Sequence, residues 1–309
     1  MANYKPEGTL IDLPANRRAL SSFSALQDAQ AEGRILEGRA VICDSSHNLV
    51  VELGAFRGVI PREEGALGIA EGTTRDIALI SRVNKPVCFK ITGFSYGLDG
   101  AATPQLSRRL AQQECLDQYL SHLVPGDILD ARVTHLEPFG CFVDIGCGIP
   151  SLIPIDAISV SRISHPRDRF RPGQEIKAVV RSLEPGGRIC LSHKELLGTW
   201  EENAALFTPG ETVAGIVRSV EEYGVFVELT PNLAGLAEPR PGVFAGQHAS
   251  VYIKSLIPEK MKVKLILVDA FDAAYRVTPP PYFLTSGHIR RWRYSPACSD
   301  RLIETDFSR

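Results

Sequence analysis

The chain has 309 residues, with 34 basic against 36 acidic side chains and a formal charge of −2. Hydrophobic residues make up 44% and charged residues 23%, an ordinary folded composition that excludes a wholly disordered chain. The near-balance of charge excludes a binder driven by bulk charge, so any nucleic-acid contact must be local and partly non-ionic. No run approaches the ~20 apolar residues of a membrane span. Met1–Pro6 lacks the apolar core of a signal peptide, so a cytoplasmic protein without membrane association is expected. The seven cysteines are odd in number and scattered, which fits free thiols in a reducing compartment.

In chain order, an N-terminal segment (1–34) contains a helix over Ser22–Glu32, stopped by Gly33. A first module covers 35–106. A helical linker at 107–124 carries Leu110, Leu116, Leu120 and Leu123 and ends before Pro125-Gly126. A second module spans 125–194. The next linker, 195–208, is read as one helix over Glu195–Phe207, with Trp200, Ala204 and Phe207 on one face for packing against a barrel. A third module covers 209–271. A tail, 272–309, contains Pro279-Pro280-Pro281 and the cationic, aromatic run His288–Tyr294. That run suits either an extra RNA contact or a strap across the third module.

The modules are repeats. Pro125-Gly126-Asp127-Ile128 matches Pro209-Gly210-Glu211-Thr212, and Glu137–Ile145 matches Glu221–Leu229, both at a shift of 84 positions (125 to 209). A weaker copy lies 92 positions upstream of the second, with Leu49–Leu53 facing Cys141–Ile145 (49 to 141). In the second module, Asp130–Leu136 and Phe139–Ile145 alternate as a hairpin, and Ser151–Ile155, Glu175–Leu183 and Arg188–Ser192 complete five strands. Five strands in about 70 residues, with an irregular excursion after the third, match the small Greek-key barrel called the OB-fold. The expected class is all-β: three tandem five-stranded OB-fold barrels joined by short α-helices, plus the tail.

Alternation assigns faces. Cys141, Val143 and Ile145 point inward, leaving Phe142 outside with Gly140 and Asp144. Val225, Val227 and Leu229 repeat the inward row, leaving Phe226 and Glu228 outside. Phe139 and Tyr223 head the same strands, and Arg188 adds a cation from the fifth strand. Exposed aromatics beside an arginine on such a sheet form a base-stacking platform; packing under a linker or another module is the alternative.

These residues resemble a known family. Pro-Gly-Asp at 125–127, Phe139-Gly140-Cys141-Phe142-Val143-Asp144, Pro172-Gly173-Gln174 and Gly187–Lys194 look like the S1 RNA-binding domain, named for a protein of the small ribosomal subunit. The resemblance covers 125–194, then 209–268 and, most distantly, 35–109. Three modules joined by short helices resemble the compact S1 homologues of Gram-positive bacteria. It implies binding of single-stranded RNA, with mRNA and the small ribosomal subunit as partners. Carried over by position, the RNA-contacting aromatics fall on Phe139 and Phe142, the fifth-strand arginine on Arg188, and an acidic position on Glu184. Arg132 and His165 are further RNA-facing candidates in this module.

Departures from the family pattern are specific. Pro154 occupies a third-strand place that is often histidine. In the third module Tyr223 and Phe226 match the aromatic pair, Lys262 replaces the arginine and Glu238 the histidine. Lysine keeps the charge but loses the planar fork. The first module has His47 and Val50 at the aromatic positions and Thr103 at the arginine position, which suits a protein-facing role. No catalytic half remains outside the modules, and no acidic cluster or phosphate loop points to an enzyme, so a non-catalytic protein without cofactor or metal is expected. The alternatives are a non-ribosomal RNA-binding regulator or RNA chaperone, and an accessory factor in RNA processing.

Overall fold

The computed structural model describes residues 4–97, 100–185, 187–273 and 279–308. They form three closed five-stranded barrels, as expected, within two compact units: residues 1–123 with 144–150, and residues 124–143 with 151–309.

The first unit begins with α1 (Pro14–Ala19) and α2 (Phe23–Ala31). Ser22 starts α2 by accepting the Ala25 N–H on its hydroxyl, and Gly33 turns the chain left-handed after it, at φ 62°. Five strands follow: β1 (Leu36–Cys43), β2 (Leu49–Leu53), β3 (Phe56–Ile60), and, after the short α3 (Ile77–Ile80), β4 (Pro86–Tyr96) and β5 (Ala102–Ser107). They close in the order β1-β2-β3-β5-β4. Leu49, Val51 and Leu53 alternate into the core, where Leu26 and Ala29 of α2 join them. The Ser107 hydroxyl then accepts the Leu110 N–H to start α4 (Arg108–Gln118).

The second unit holds β6 (Ile128–Glu137), β7 (Gly140–Asp144), β8 (Pro150–Pro154), β9 (Glu175–Glu184) and β10 (Arg188–Ser192), apart from the β7–β8 turn counted with the first unit. Two 3-10 turns, Ile155–Ala157 and Pro166–Asp168, fill the excursion between β8 and β9. The linker expected as one helix is broken: a 3-10 turn at Lys194–Leu197 precedes α5 (Trp200–Ala204). Gly198 causes the break, turning left-handed at φ 82° where a side chain would meet the Phe283 ring. The packing face survives, because Trp200 and Ala204 are buried in the core cluster of the third barrel. That barrel comprises β11 (Thr212–Glu221), β12 (Gly224–Thr230), β13 (Leu233–Ala237), β14 (His248–Ile257) and β15 (Lys262–Phe271), closed in the same cyclic order.

The tail forms a small hairpin, β16 (Arg291–Arg293) with β17 (Glu304–Asp306). Ile289, Trp292 and Tyr294 are buried, and the Trp200 N–H donates to the Tyr294 carbonyl at 3.0 Å. The apolar half of His288–Tyr294 is therefore a strap, while Arg290, Arg291 and Arg293 stay exposed.

Two carboxylates expected on the wet face are buried instead. Asp144 accepts the N–H groups of Glu7, Gly146 and Gly148 at 2.7, 2.8 and 3.0 Å. Burial and the neighbouring Glu7 carboxylate push its pKa up to about 7. Glu228 is held by Arg169 and by both Nε and Nη2 of Arg218, at 2.8 and 2.9 Å. Alternation set both side chains outside their barrels correctly, but other segments cover them there.

The first unit has a third such group. Glu37 Oε2 accepts the N–H groups of Gly8, Leu10 and Ile11 at 3.1, 2.9 and 2.8 Å, while its Oε1 is buried without a partner. Burial, reinforced by Glu7, pushes the Glu37 pKa from 4.5 up to about 7. Burial also opposes ionisation of Glu7, yet Arg108 and Arg82 hold its pKa below the ordinary range. The raised Glu37 pKa means that the folded chain binds a proton which the unfolded chain has released between those two values. Its contribution to stability therefore falls as pH rises through that window. Glu37→Gln should flatten the pH dependence of amide-exchange protection in β1, taken relative to intrinsic exchange, between pH 4.5 and about pH 7. An unchanged profile in the variant would show that Glu37 is ionised throughout.

Candidate nucleic-acid interface

The face on the second barrel is built around a glycine between two rings. A Cβ on Gly140 would lie 2.6 Å from the Ile153 carbonyl, so only glycine lets β7 and β8 approach this closely. The Ile155 N–H donates to the Phe139 carbonyl at 2.9 Å and pins the head of β7. Phe139 is left 56% exposed, and Phe142, half-buried, lies beside it with ring centroids 6.0 Å apart and planes at 88°.

The third barrel repeats this arrangement. A Cβ on Gly224 would lie 2.6 Å from the Ala237 carbonyl. Tyr223 is 67% exposed, and its ring sits 6.0 Å from that of the half-buried Phe226, at 87°. Two edge-to-face pairs of the same geometry occur at positions related by the sequence repeat. In each pair the ring at the head of the strand stays more than half exposed.

Inter-strand register shows what flanks the rings. Cys190 faces Leu152, so β8 lies between β7 and β10 and places Leu152 between the aromatic pair and the cation-bearing strand. Arg188 and Glu184 are both exposed and face each other across the β9–β10 hairpin. In the third barrel Phe226 faces Leu236, and Leu236 faces Lys264; the exposed Lys262 lies two residues before Lys264 on β15.

The remaining candidates divide. Arg132 is half-buried, with Nε donating to the Gly173 carbonyl at 3.0 Å and a guanidinium nitrogen 4.0 Å from Glu175. His165 caps the turn at Pro166–Asp168, its Nδ1 accepting the Arg167 N–H at 3.1 Å. Both groups therefore hold backbone as well.

Sequence reasoning missed three neighbours. The exposed His135 ring lies 6.5 Å from Phe142 at 32°, and its Nε2 is 2.6 Å from Glu137. Leu152 and Lys264 complete the rows just described. Their only sequence signal is alternation within their own strands, which gives a face but no neighbour.

The first barrel presents a different face. Ile42, Val50, Val59 and Gln105 form its corresponding row by register, and His47 sits in a left-handed turn at φ 62°. No aromatic pair of the kind above occurs there among the described residues.

Closed five-stranded barrels of this strand order are OB-folds, and the aromatic pair spaced by Gly140 is the feature on which the resemblance to S1 domains rests. Comparison with known proteins agrees. Residues 123–194 match the family model described as S1 RNA binding domain. A small ribosomal subunit protein bS1 homolog from Bacillus subtilis is 39% identical over 166 residues, covering 52% of this chain and 42% of the relative. Small ribosomal subunit protein bS1 from Leuconostoc lactis is 30% identical over 209 residues, covering 67% and 47%. The chain spans less than half the length of these relatives. Among solved structures, a multidomain protein with nucleic acid binding domains from Streptococcus pneumoniae is similar at 15% identity and a TM-score of 0.25, covering 77% of this chain and 74% of that one. The second barrel is thus matched as an S1 RNA-binding domain, and the chain is similar to the bS1 proteins over roughly half to two thirds of its length.

Adjacent residues on β7 provide a test of the face. Phe142→Ala should weaken binding of a short single-stranded RNA by roughly 5- to 150-fold, the worth of one stacked base, and change stability by about 1 kcal/mol or less. Val143→Ala, inward and fully buried, should instead cost ~1–2 kcal/mol of stability and leave the affinity of the folded chain unchanged. Paired urea melts and anisotropy titrations read both quantities; the reverse pattern would mean that the rings serve the core.

Proposed function

We propose that the chain binds single-stranded RNA through the aromatic pairs of its second and third barrels, as a non-catalytic protein of translation. The observation that carries the proposal is the repetition of one ring geometry, 6.0 Å at 88° and 6.0 Å at 87°, on outward faces of two barrels. Core packing does not call for rings that stay more than half exposed, as Phe139 and Tyr223 do. Stacking on an aromatic face is available to any base, so sequence preference should be weak. Arg188 near the first pair, and Lys262 with Lys264 near the second, would hold phosphates.

The names of the relatives, small-subunit ribosomal proteins, support association with the small ribosomal subunit in the cytoplasm, with mRNA as the RNA delivered there. The first barrel, without the ring pair, would serve protein contacts.

Competition between single-stranded and duplex RNA of one sequence tests the binding mode. Unpaired RNA should win by at least tenfold, because duplex bases are already stacked and offer no free face. Equal affinity would favour a shape or phosphate reader. Co-sedimentation of the native chain with small subunits on a sucrose gradient tests the partner, and a position at the top of the gradient would remove it.

A further inference from the structure

The third module contains four lysines, and all of them fall within residues 254–264. Lys254 lies on β14, Lys262 and Lys264 on β15, and Lys260 in the 3-10 turn between the two strands. All four are exposed. Among the described residues none of them has a hydrogen-bond or ion-pair partner.

The matching hairpin of the second barrel is arranged differently. There Lys177 is bonded to Asp130, Arg181 lies 3.9 Å from Asp156, and Glu184 faces Arg188. Cations on β9 are neutralised, whereas those on β14 and β15 are free.

Register ties the free lysines to the aromatic pair. Phe226, Leu236, Lys264 and Ser255 stand opposite one another in sequence across β12, β13, β15 and β14. At a strand spacing of ~4.8 Å, the Lys264 backbone lies roughly 10 Å from that of Phe226, a distance of one or two nucleotides. Beyond this row, Tyr252 faces Ile266; they are 37% and 48% exposed, and Val268 beside them is exposed as well. A merely solvated lysine face needs no uncovered tyrosine or isoleucine within it. The acidic groups on this hairpin are Glu259 in its turn and Asp269 near its far end, opposite Ser250.

From this juxtaposition we infer that the outer face of β14 and β15 carries a single RNA strand onward from the Tyr223–Phe226 pair, with Lys254, Lys260 and Lys264 holding phosphates and Tyr252 stacking a base. The inference rests on the RNA-binding reading above. It makes the third barrel, whose lysine replaces the family arginine, the main source of ionic affinity, with the second barrel acting chiefly through stacking.

The test uses the full chain and oligouridylate of about 20 nucleotides, titrated across salt concentrations. The triple variant Lys254→Gln, Lys260→Gln, Lys264→Gln should lower the slope of log K against log salt by about 2, since each single-strand phosphate contributes ~0.7. Tyr252→Ala should weaken binding about 5- to 150-fold at unchanged slope. An unchanged slope in the triple variant, in a chain where Phe142→Ala still weakens binding, would overturn this path and leave the RNA reading standing. Loss of sensitivity in both would remove the reading itself. Displacement of the RNA by oligoglutamate at equal concentration would show that an acidic peptide, not RNA, suits the surface.

Discussion

The ring faces depend on one close approach of backbone to backbone. At Gly140 and Gly224 the second strand of a barrel comes so near the third that a Cβ would sit 2.6 Å from a carbonyl oxygen. Any other residue would push the strands apart or tilt the hairpin, and the residues on either side would turn with it. With the strands this close, alternation puts Phe142 and Phe226 on the outer face, while Cys141 and Val225 fill the core next to them. The ring at the head of each strand then meets its partner edge to face, a favoured aromatic geometry that also fixes both orientations before any ligand arrives. Rings preorganised in this way would lose little entropy on taking up the base proposed to stack there.

A second constraint acts at the other end of the same strands. Asp144 and Glu228 are equivalent in the repeat, and each leaves the solvent in its own surroundings. In the first unit Asp144 receives three backbone N–H bonds beside the buried Glu7–Arg108 pair, in which Arg108 Nε lies 2.6 Å from Glu7 Oε1. In the second unit Glu228 is shared by Arg169 and Arg218. Buried ion pairs of this kind add little net stability against an apolar replacement, but losing one partner leaves a charge stranded at a cost of ~3–5 kcal/mol. The exposed lysines of β14 and β15 are the opposite case: cations without a carboxylate partner among the described residues.

Much of this was legible in the sequence, for reasons that are local. Repeats shifted by 84 and, more weakly, 92 positions, together with period-two alternation, were enough for three five-stranded barrels and for the inward set Cys141, Val143 and Ile145. What escaped depends on residues far away in the chain. Asp144 and Glu228 read as wet because alternation says which side of a strand a residue occupies and nothing of what covers that side. The linker helix read as continuous because its apolar stripe is helical, whereas Gly198 breaks it to make room for Phe283, 85 positions on (198 to 283). His135, Leu152 and Lys264 escaped because they join the faces through inter-strand register. His165 read as an RNA-facing residue; the structure adds that its Nδ1 caps a turn, a role with no signal beyond the Pro166 that follows it.

The most direct measurement of the central claim is photochemical. Ultraviolet cross-linking of the full chain to oligo(5-iodouridylate), followed by peptide mass spectrometry, reports which side chains lie against bases. The rings described here require adducts on the peptides containing Phe139 and Phe142 and on those containing Tyr223 and Phe226. Adducts confined to the first barrel or to the arginines of the tail hairpin would contradict the account, because bases would then be held away from both aromatic pairs.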